Sequence, residues 1–453
     1  MAQAARLSGF PEWLPADRIV EERVIDLLKH TFELNGYAAL HTRAVEPLSA
    51  LAKDGEIDKE IFAVSRLHGD PSDSRNPMGL HFDLTVPFAR YVVENAGHLS
   101  FPFKRYQIQP VWRGERPQDG RFREFIQADI DVVAEDSLAD HFEVEVPLVM
   151  AQAFDALREL GVPPVRILAN NRKLLEGFAR GLGLENIPAV LRSLDKYDKI
   201  GPDRVGELLA ADAGASAAQQ QALLKLAAIE SDTSAFADEV LALGVSDALL
   251  AEGLESLVRL VDAAHRIQPG VVVAQLKIAR GLDYYTGSVY ETQLLGHESL
   301  GSVCSGGRYD SLASNGKKTY PGVGISLGVS RLMSRLVGKN RMLAATRSVP
   351  TAVLIAVTDE SGRSEADAVA MQLRRRGIPV DVAPAASKFG KQIRFADRRG
   401  IPYVWFVDGE TGHEVKDIRS GEQVSADPEL WTPPAEDVWP RVERVAGDEG
   451  CRG

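Results

Sequence analysis

Residues 113–125 read Arg113-Gly114-Glu115-Arg116-Pro117-Gln118-Asp119-Gly120-Arg121-Phe122-Arg123-Glu124-Phe125, four arginines around a Pro/Gly turn with an aromatic ring beyond it. Such a loop suits a nucleoside triphosphate, because guanidinium groups pair with phosphate oxygens in a fixed fork while a ring stacks on the base. Past the turn, Phe125, Gln127, Asp129 and Asp131 alternate, so in a strand they share one face. Two more strips have related chemistry. Residues 280–287 read Arg-Gly-Leu-Asp-Tyr-Tyr-Thr-Gly, and residues 305–310 read Ser-Gly-Gly-Arg-Tyr-Asp. Each joins a cation to tyrosines and turn glycines, and converging they would build one polar, aromatic-lined pocket. Taken singly, each strip also fits a Gly-bounded strand edge with tyrosines packed for burial. The arginine loop alone also fits an exposed Arg/Glu hairpin.

These residues need elements to hold them. Val20, Val24, Leu27, Leu28 and Thr31 fall on one face and predict a helix over residues 17–34, stopped by Gly36. Residues 54–76 are polar. Over residues 81–133 the chain reads as short strands at 81–87 and 106–113 with a helix at 88–95 between them, which predicts an antiparallel sheet. A helical pattern covers 137–160. Residues 162–267 are Ala- and Leu-rich with few aromatics, the composition of a helical insertion. Strands resume at 271–274 and 289–292, followed by an apolar helix at 327–336 and a polar, basic linker near 338–348. Beyond it, strand and helix alternate over residues 352–407, which implies a small parallel or mixed sheet with helices packed on it. Within that last module Lys391, Arg394 and Arg398 are spaced to share a helix face, a pattern that alone reads as a solvated surface.

Bulk properties set outer limits. A chain of 453 residues exceeds what one core usually supports, so two or three domains are expected. A net charge of −12 argues against indiscriminate coating of nucleic acid, which needs a broad basic surface, but leaves room for local basic patches. Cys304 and Cys451 make no paired framework, which fits a reducing compartment and excludes a Cys-based zinc site. No apolar run approaches the about 18 residues of a membrane span, so cytoplasmic residence is expected. Residues 322–328, Gly-Val-Gly-Ile-Ser-Leu-Gly, have the wrong glycine spacing for a dinucleotide fingerprint, and no GxxxxGK[ST] loop is present. Triphosphate binding would therefore rest on arginines carried by strands.

Taken together, these motifs resemble those of the class II aminoacyl-tRNA synthetases, and within them the histidyl-tRNA synthetase family. The arginine loop is similar to the second class motif, and residues 324–332, Gly-Ile-Ser-Leu-Gly-Val-Ser-Arg-Leu, to the third. Residues 280–287 and 305–310 resemble the two histidine-specific signatures, and residues 193–201 an insertion segment of the archaeal and eukaryotic-like branch. The resemblance implies an α+β catalytic domain with a mixed, mainly antiparallel sheet (residues 1–162 and 263–340), a helical insertion (163–262) and a C-terminal α/β anticodon-binding domain (349–440). It implies ATP as substrate with Mg2+, L-histidine and tRNA(His) as partners, and a homodimer. Arg113 and Arg280 become the catalytic cations; Arg113, Glu115, Arg121, Phe125 and Arg331 would bind ATP. Histidine would meet Asp83, Leu84, Thr85, Arg113, Gln127, Asp131, Arg280, Tyr284, Tyr285 and Tyr309, with Gly306 lining the site. Arg116, Arg123, Lys388, Lys391, Arg394 and Arg398 are candidates for RNA contact. Two positions depart from the pattern: Arg43 stands where the first motif usually has proline, and Ser330 where the third usually has an acid. A related family, the histidine-sensing regulatory subunit of ATP phosphoribosyltransferase, shares the core but lacks the C-terminal domain and tends to lose the catalytic arginines. An adenylating ligase for another acceptor would also lack the anticodon-type domain.

Overall fold

The computed structural model describes residues 7–51, 60–68, 77–279, 284–338, 341–407 and 412–445. The chain divides into two compact units, residues 1–11 with 25–335, and residues 12–24 with 336–453. The long first helix α1, Pro15–Leu34, runs through both stretches and buries Val24, Leu28 and Phe32.

A nine-stranded sheet organises the first unit. Its strands are β1 (Ala38–Ala39), β2 (Phe103–Trp112), β3 (Glu124–Val133), β4 (Val165–Asn171), β5 (Glu230–Ser231), β6 (Val272–Gln275), β7 (Ser288–Leu294), β8 (Cys304–Tyr309) and β9 (Gly322–Gly328). They lie in the order β1-β2-β3-β9-β8-β7-β4-β6-β5, antiparallel except for β1 with β2 and β4 with β6. The alternation along β2 and β3 sorts their side chains by face. Tyr106, Ala128, Ile130 and Val132 enter the core, while cross-strand pairs Arg105 with Asp131, Gln107 with Asp129 and Gln109 with Gln127 form a polar strip on the other face. Helix α3, His141–Leu157, is buried along most of its length, with Val146, Met150, Ala153 and Phe154 fully enclosed.

Two local expectations are corrected. The predicted strand at 81–87 is instead a turn leading into α2, Thr85–Asn95, after a short strand at Met78–Leu80. The Asp83 carboxylate accepts the Val86 N–H at 3.0 Å, and Pro87 sits in the first helical turn, where a missing donor costs nothing. The helical segment also begins later than its composition indicates. Residues 165–171 are a central strand pairing with β6 and β7, and Ile167, Leu168 and Ala169 are buried there. A strand buried on both faces loses the alternation that would distinguish it from a buried helix.

From Asn171 onward the segment is helical: α4 (Arg172–Gly181), α5 (Ile187–Leu194), α6 (Tyr197–Ala213), α7 (Ala217–Ala227), α8 (Phe236–Leu241) and α9 (Ala248–Ile267). Starts are set by side chains: Asn171 caps α4, a Ser216/Gln219 capping box starts α7, and Asp247 accepts the Leu249 and Leu250 amides. Helices α4 and α9 touch backbone to backbone through two glycines. A Cβ on Gly177 would stand 2.1 Å from the Leu250 nitrogen, and one on Gly253 2.2 Å from the Leu174 nitrogen. That crossing ties the helical segment to the end of β4.

The C-terminal unit contains α10, Val329–Leu336, only at its boundary and is built on a five-stranded sheet. Its strands β10 (Val353–Ala356), β11 (Val380–Val382), β12 (Tyr403–Phe406), β13 (Glu414–Asp417) and β14 (Gln423–Ser425) lie in the order β11-β10-β12-β13-β14. The first three are parallel and the last two antiparallel, with helices α11 (Arg363–Arg375) and α12 (Phe389–Arg399) between the parallel strands. Trp405 is fully buried against Trp431, and Tyr403 donates to Asp437 at 2.7 Å. The strand and helix alternation expected over residues 352–407 is present; the closing hairpin of β13 and β14 is additional.

Gly253→Leu should drive a side chain into the α4 backbone. Urea titration is expected to show a loss of about 3 kcal/mol, at the upper end for overpacking; an unchanged midpoint would mean that the helices do not cross at this glycine.

Candidate active site

A cavity of about 920 Å³ is lined from β3, β7, β8 and β9 and by residues of α4 and α5. Most of the residues singled out in the sequence converge on it. Arg113, Glu115, Arg121, Phe125 and Arg331 contribute to its wall, as do Asp83, Thr85, Gln127, Tyr284, Tyr285 and Gly306. Arg113 donates from Nε to the Phe82 carbonyl at 3.0 Å and holds its guanidinium 5.1 Å from the centre of the Phe125 ring. Arg121 lies 3.5 Å from Glu115, and Arg331 donates to the Leu300 carbonyl. The arginines expected on strands come instead from the β2–β3 loop, Arg113 and Arg121, and from α10, Arg331; a flat ring beside such cations matches the chemistry of a purine triphosphate.

Asp131 and Tyr309 lie one layer deeper. They line a recess of about 10 Å³ that shares Thr85, Asp129, Tyr285, Ser305 and Ser326 with the cavity wall. Asp131 takes a 2.7 Å ion pair from the fully buried Arg105 and a 2.8 Å hydrogen bond from the Tyr309 hydroxyl. Glycines make room for both. A Cβ on Gly324 would fall 2.2 Å from the Asp131 carboxylate, and one on Gly322 would fall 2.6 Å from the Tyr309 ring and hydroxyl. The Tyr284 hydroxyl donates to Asp83 at 3.3 Å, and its ring stands edge-on to Tyr285 and Tyr309. Leu84, by contrast, is wholly buried and off the cavity wall. Its carbonyl faces Arg105 at 3.4 Å. Arg280 lies outside the described residues.

Electrostatically the deeper part is short of positive charge. Burial pushes the Asp129 carboxyl up to about 7, against the opposing field of Arg105, and Asp131 up to about 6 against Arg105 and the Tyr309 hydrogen bond. Asp83 is raised too, by burial, although the Val86 N–H and the Arg113 charge hold it back. Neighbouring buried carboxylates that hold their protons favour a cationic ligand, whose charge would offset their desolvation.

Several wall residues were not among the sequence candidates. Asp129 was visible on the β3 face but carried no role. Arg172, Arg192, Asp195, Lys196 and Glu291 come from segments far along the chain from the arginine loop, a convergence that spacing cannot reveal. Ser330 is buried with its hydroxyl committed to the Ile126 N–H at 2.9 Å, so it strengthens the joint between α10 and β3. Among the described residues no group of three or more His, Cys, Asp or Glu is arranged as a metal centre. Magnesium carried by triphosphate oxygens and water asks for only one or two carboxylates, and Glu115 and Glu291 on the wall are of that kind.

The RNA candidates are spread over both units. Arg116 is exposed; Arg123 is half-buried and donates to the Glu115 carbonyl at 3.2 Å, which braces the loop. In the C-terminal unit Lys388 precedes α12, and Lys391, Arg394 and Arg398 are exposed along it.

Residues 9–332 match the family model described as histidyl-tRNA synthetase, and residues 351–429 match an anticodon binding domain. The chain belongs to the histidyl-tRNA synthetase family. It is 57% identical over 451 residues to the histidine–tRNA ligase of Cutibacterium acnes, covering 98% of this chain and 99% of that protein. Among solved structures, histidyl-tRNA synthetase from Nostoc sp. PCC 7120 is 31% identical with a TM-score of 0.81, over 95% of this chain and 98% of that one. An ATP phosphoribosyltransferase regulatory subunit/histidyl-tRNA synthetase from Bacillus halodurans C, at 18% identity and a TM-score of 0.71 over 88% and 97% of the chains, shares the fold. The mixed α+β fold expected from the family motifs is therefore the observed one. No described helix is long and apolar enough to cross a membrane.

Because Asp129 binds its proton more tightly in the folded protein than in the unfolded chain, the native state holds more protons between about pH 4 and pH 7. Its contribution therefore turns unfavourable as pH rises through that window. Asp129→Asn should gain stability relative to the parent with rising pH, by at most about 1.4 kcal/mol per pH unit, and level off above about pH 7. A difference independent of pH in denaturant titrations would show that Asp129 is not titrating there.

Proposed function

We propose that the chain is a histidine–tRNA ligase, which activates L-histidine with ATP to histidyl-adenylate and passes the histidyl group to the 3′ end of tRNA(His). The observation that carries this reading is the combination, on one cavity wall, of arginines from the β2–β3 loop and from α10 beside Phe125 with buried, underneutralised carboxylates behind them. The family's two modules support it, since both the synthetase and the anticodon-type regions are present.

In the first step the histidine carboxylate attacks the α-phosphorus of ATP and pyrophosphate leaves. The nucleophile is already an anion, so the rate comes from positioning and from stabilising charge on the phosphorus centre, without a protein base. Arg113, clamped between the Phe82 carbonyl and the Phe125 ring, is placed to hold the α-phosphate and the histidine carboxylate. Phe125 offers its face to adenine, and Arg121 with Arg331 meet the remaining phosphates. Arg280 is assigned the opposite side of the α-phosphate from the sequence alone. Asp83, Thr85 and Gln127 receive the α-ammonium; Asp131 and Tyr285, with Tyr309 behind, accept and donate to the two imidazole nitrogens. A pocket that bonds both ring nitrogens leaves buried polar groups unpaired when another side chain enters, which is a strong basis for selection. Mg2+ enters with ATP. In the second step the terminal ribose hydroxyl attacks the histidyl carbonyl and AMP leaves.

The regulatory-subunit reading is disfavoured by Arg113, Arg121 and Arg331 on the cavity wall and by the C-terminal module. A homodimer is inferred from the first-motif segment. There Arg43, in place of the usual proline, pairs with Glu46 at 2.9 Å, and Glu46 also holds Arg90, so the change is absorbed locally. The site of action is inferred to be the cytoplasm, where ATP and tRNA are available.

Pyrophosphate exchange across the amino acids is expected with histidine alone, and absence of exchange would sink the ligase reading. Arg113→Ala should lower kcat/KM for exchange by about 10²- to 10³-fold, the scale of losing one charge-stabilising donor. Replacing Lys391 and Arg394 together by Ala should weaken tRNA binding and flatten its salt dependence while sparing exchange; equal loss of both activities would remove α12 from RNA recognition.

A further inference from the structure

Gln127, assigned above to the substrate ammonium, has an amide that could face the cavity with either its oxygen or its NH2 group. Only the oxygen would accept a bond from a cation. In the structure the Gln127 Nε2 donates to the Ser326 hydroxyl at 2.7 Å, and the Ser326 hydroxyl donates to Asp129. The register makes this relay compact: Ser326 lies directly across from Asp129 in the β9–β3 pairing, and Gln127 is two residues from Asp129 on the same strand face. The Gln127 Oε1 is buried and takes no hydrogen bond among the described residues, while the side chain lines the cavity.

The proton count decides the orientation. A serine hydroxyl has one proton to give, and Asp129, ionised once a cationic ligand sits beside it, can only accept. Once the Ser326 proton points to Asp129, Ser326 can offer Gln127 only a lone pair, so the amide must turn its NH2 group inward. Its carbonyl oxygen is left for the ligand.

Building on the ligase reading, we propose that Asp129, acting through Ser326, is a positioning residue that fixes the Gln127 amide with its oxygen presented to the α-ammonium of histidine. Asp129 does not touch the substrate in this role; it sets the polarity of a residue that does. Replacing it by asparagine lets the relay reverse: the introduced amide donates to Ser326, Ser326 donates to the Gln127 oxygen, and the Gln127 NH2 group turns toward the ammonium. A buried acceptor then becomes a donor facing a cation.

The test is pyrophosphate exchange by the full-length protein, with KM for histidine, KM for ATP and kcat measured separately. Asp129→Asn and Ser326→Ala are each expected to raise KM for histidine about ten- to a hundredfold, the scale of a hydrogen bond to a charged group. The KM for ATP and kcat should change little. Ser326→Ala keeps the Asp129 charge, so it separates the relay from simple attraction of the ammonium. Adding Gln127→Glu to Asp129→Asn restores an acceptor that cannot be turned the wrong way and returns the original net charge. That double variant is expected to recover KM to within about threefold of the parent, and a general packing defect would not be repaired by it. Unaltered KM in Ser326→Ala, or failure of the double variant to recover, would overturn the proposal while leaving the ligase reading in place. No histidine-dependent exchange in the unmodified protein would overturn both.

Discussion

Burying three carboxylates, two on one face of a sheet and one in the turn before α2, with a single arginine among the described residues paired to them, is the constraint around which this site is arranged. Asp83, Asp129 and Asp131 are all withdrawn from water, and among the described residues Arg105 pairs directly with Asp131 alone. Desolvation of an unpaired carboxylate is expensive, and tighter proton binding by all three is the protein's way of lowering that cost while the site is empty. The remaining features follow from holding these groups in place. Tyr309 reaches Asp131, Tyr284 reaches Asp83, and the Val86 amide at the start of α2 pins the other oxygen of Asp83. Glycines at 322 and 324 are required because the strands must pass directly beneath the occupied space. Buried carboxylates of this kind cost stability as they ionise, so a cationic ligand would link its binding to their ionisation.

What could be read from the sequence, and what could not, divides along physical lines. The arginine loop, residues 305–309 and the β3 alternation are local patterns: the loop joins β2 to β3, and residues 305–309 lie on β8, while residues 280–283 lie outside the described residues. The parallel alternation of the C-terminal module was equally legible, since strand and helix there have different periods. Two features were hidden. Residues 165–171 form a strand buried on both faces, so Ile167, Leu168 and Ala169 carry no alternation and merge with the Ala/Leu-rich helices that follow. Residues 81–87 contain β-prone side chains, yet Asp83 capping and Pro87 in the first turn decide for a helix from Thr85. In both cases a tertiary or capping interaction outweighed propensity.

Convergence was the other limit. Arg172, Arg192 and Lys196 reach the cavity because β4 delivers the chain to its rim and the α4–α9 glycine crossing fixes the helices there. Nothing in their spacing relates them to Arg113. The departures from the family pattern resolve in the same terms. Arg43 is satisfied by a buried Glu46 that it shares with Arg90, and Ser330 supplies a hydroxyl to the Ile126 amide of β3. An acid at 330 would sit where a small acceptor is now buried against a backbone donor.

The division of charge across the cavity bears on why a ligand bound at one part favours reaction at the other. The proposed substrate, with an ammonium at one end and a carboxylate at the other, would bridge two sets of protein charges of opposite sign, the buried aspartates and Arg113. A seated ammonium would favour ionisation of the buried aspartates and would screen their field from the substrate carboxylate. Without that ammonium, Arg113 would be drawn toward Asp83, whose ionised form it already favours. Arg113 is kept from that alternative by a geometric lock, the Phe82 carbonyl on its Nε and the Phe125 ring beneath its plane, which holds the guanidinium aimed into the cavity before any substrate arrives. Preorganisation of this kind leaves little reorganisation to be done as charge develops on phosphorus, and that is where an enzyme without a general base must find its rate.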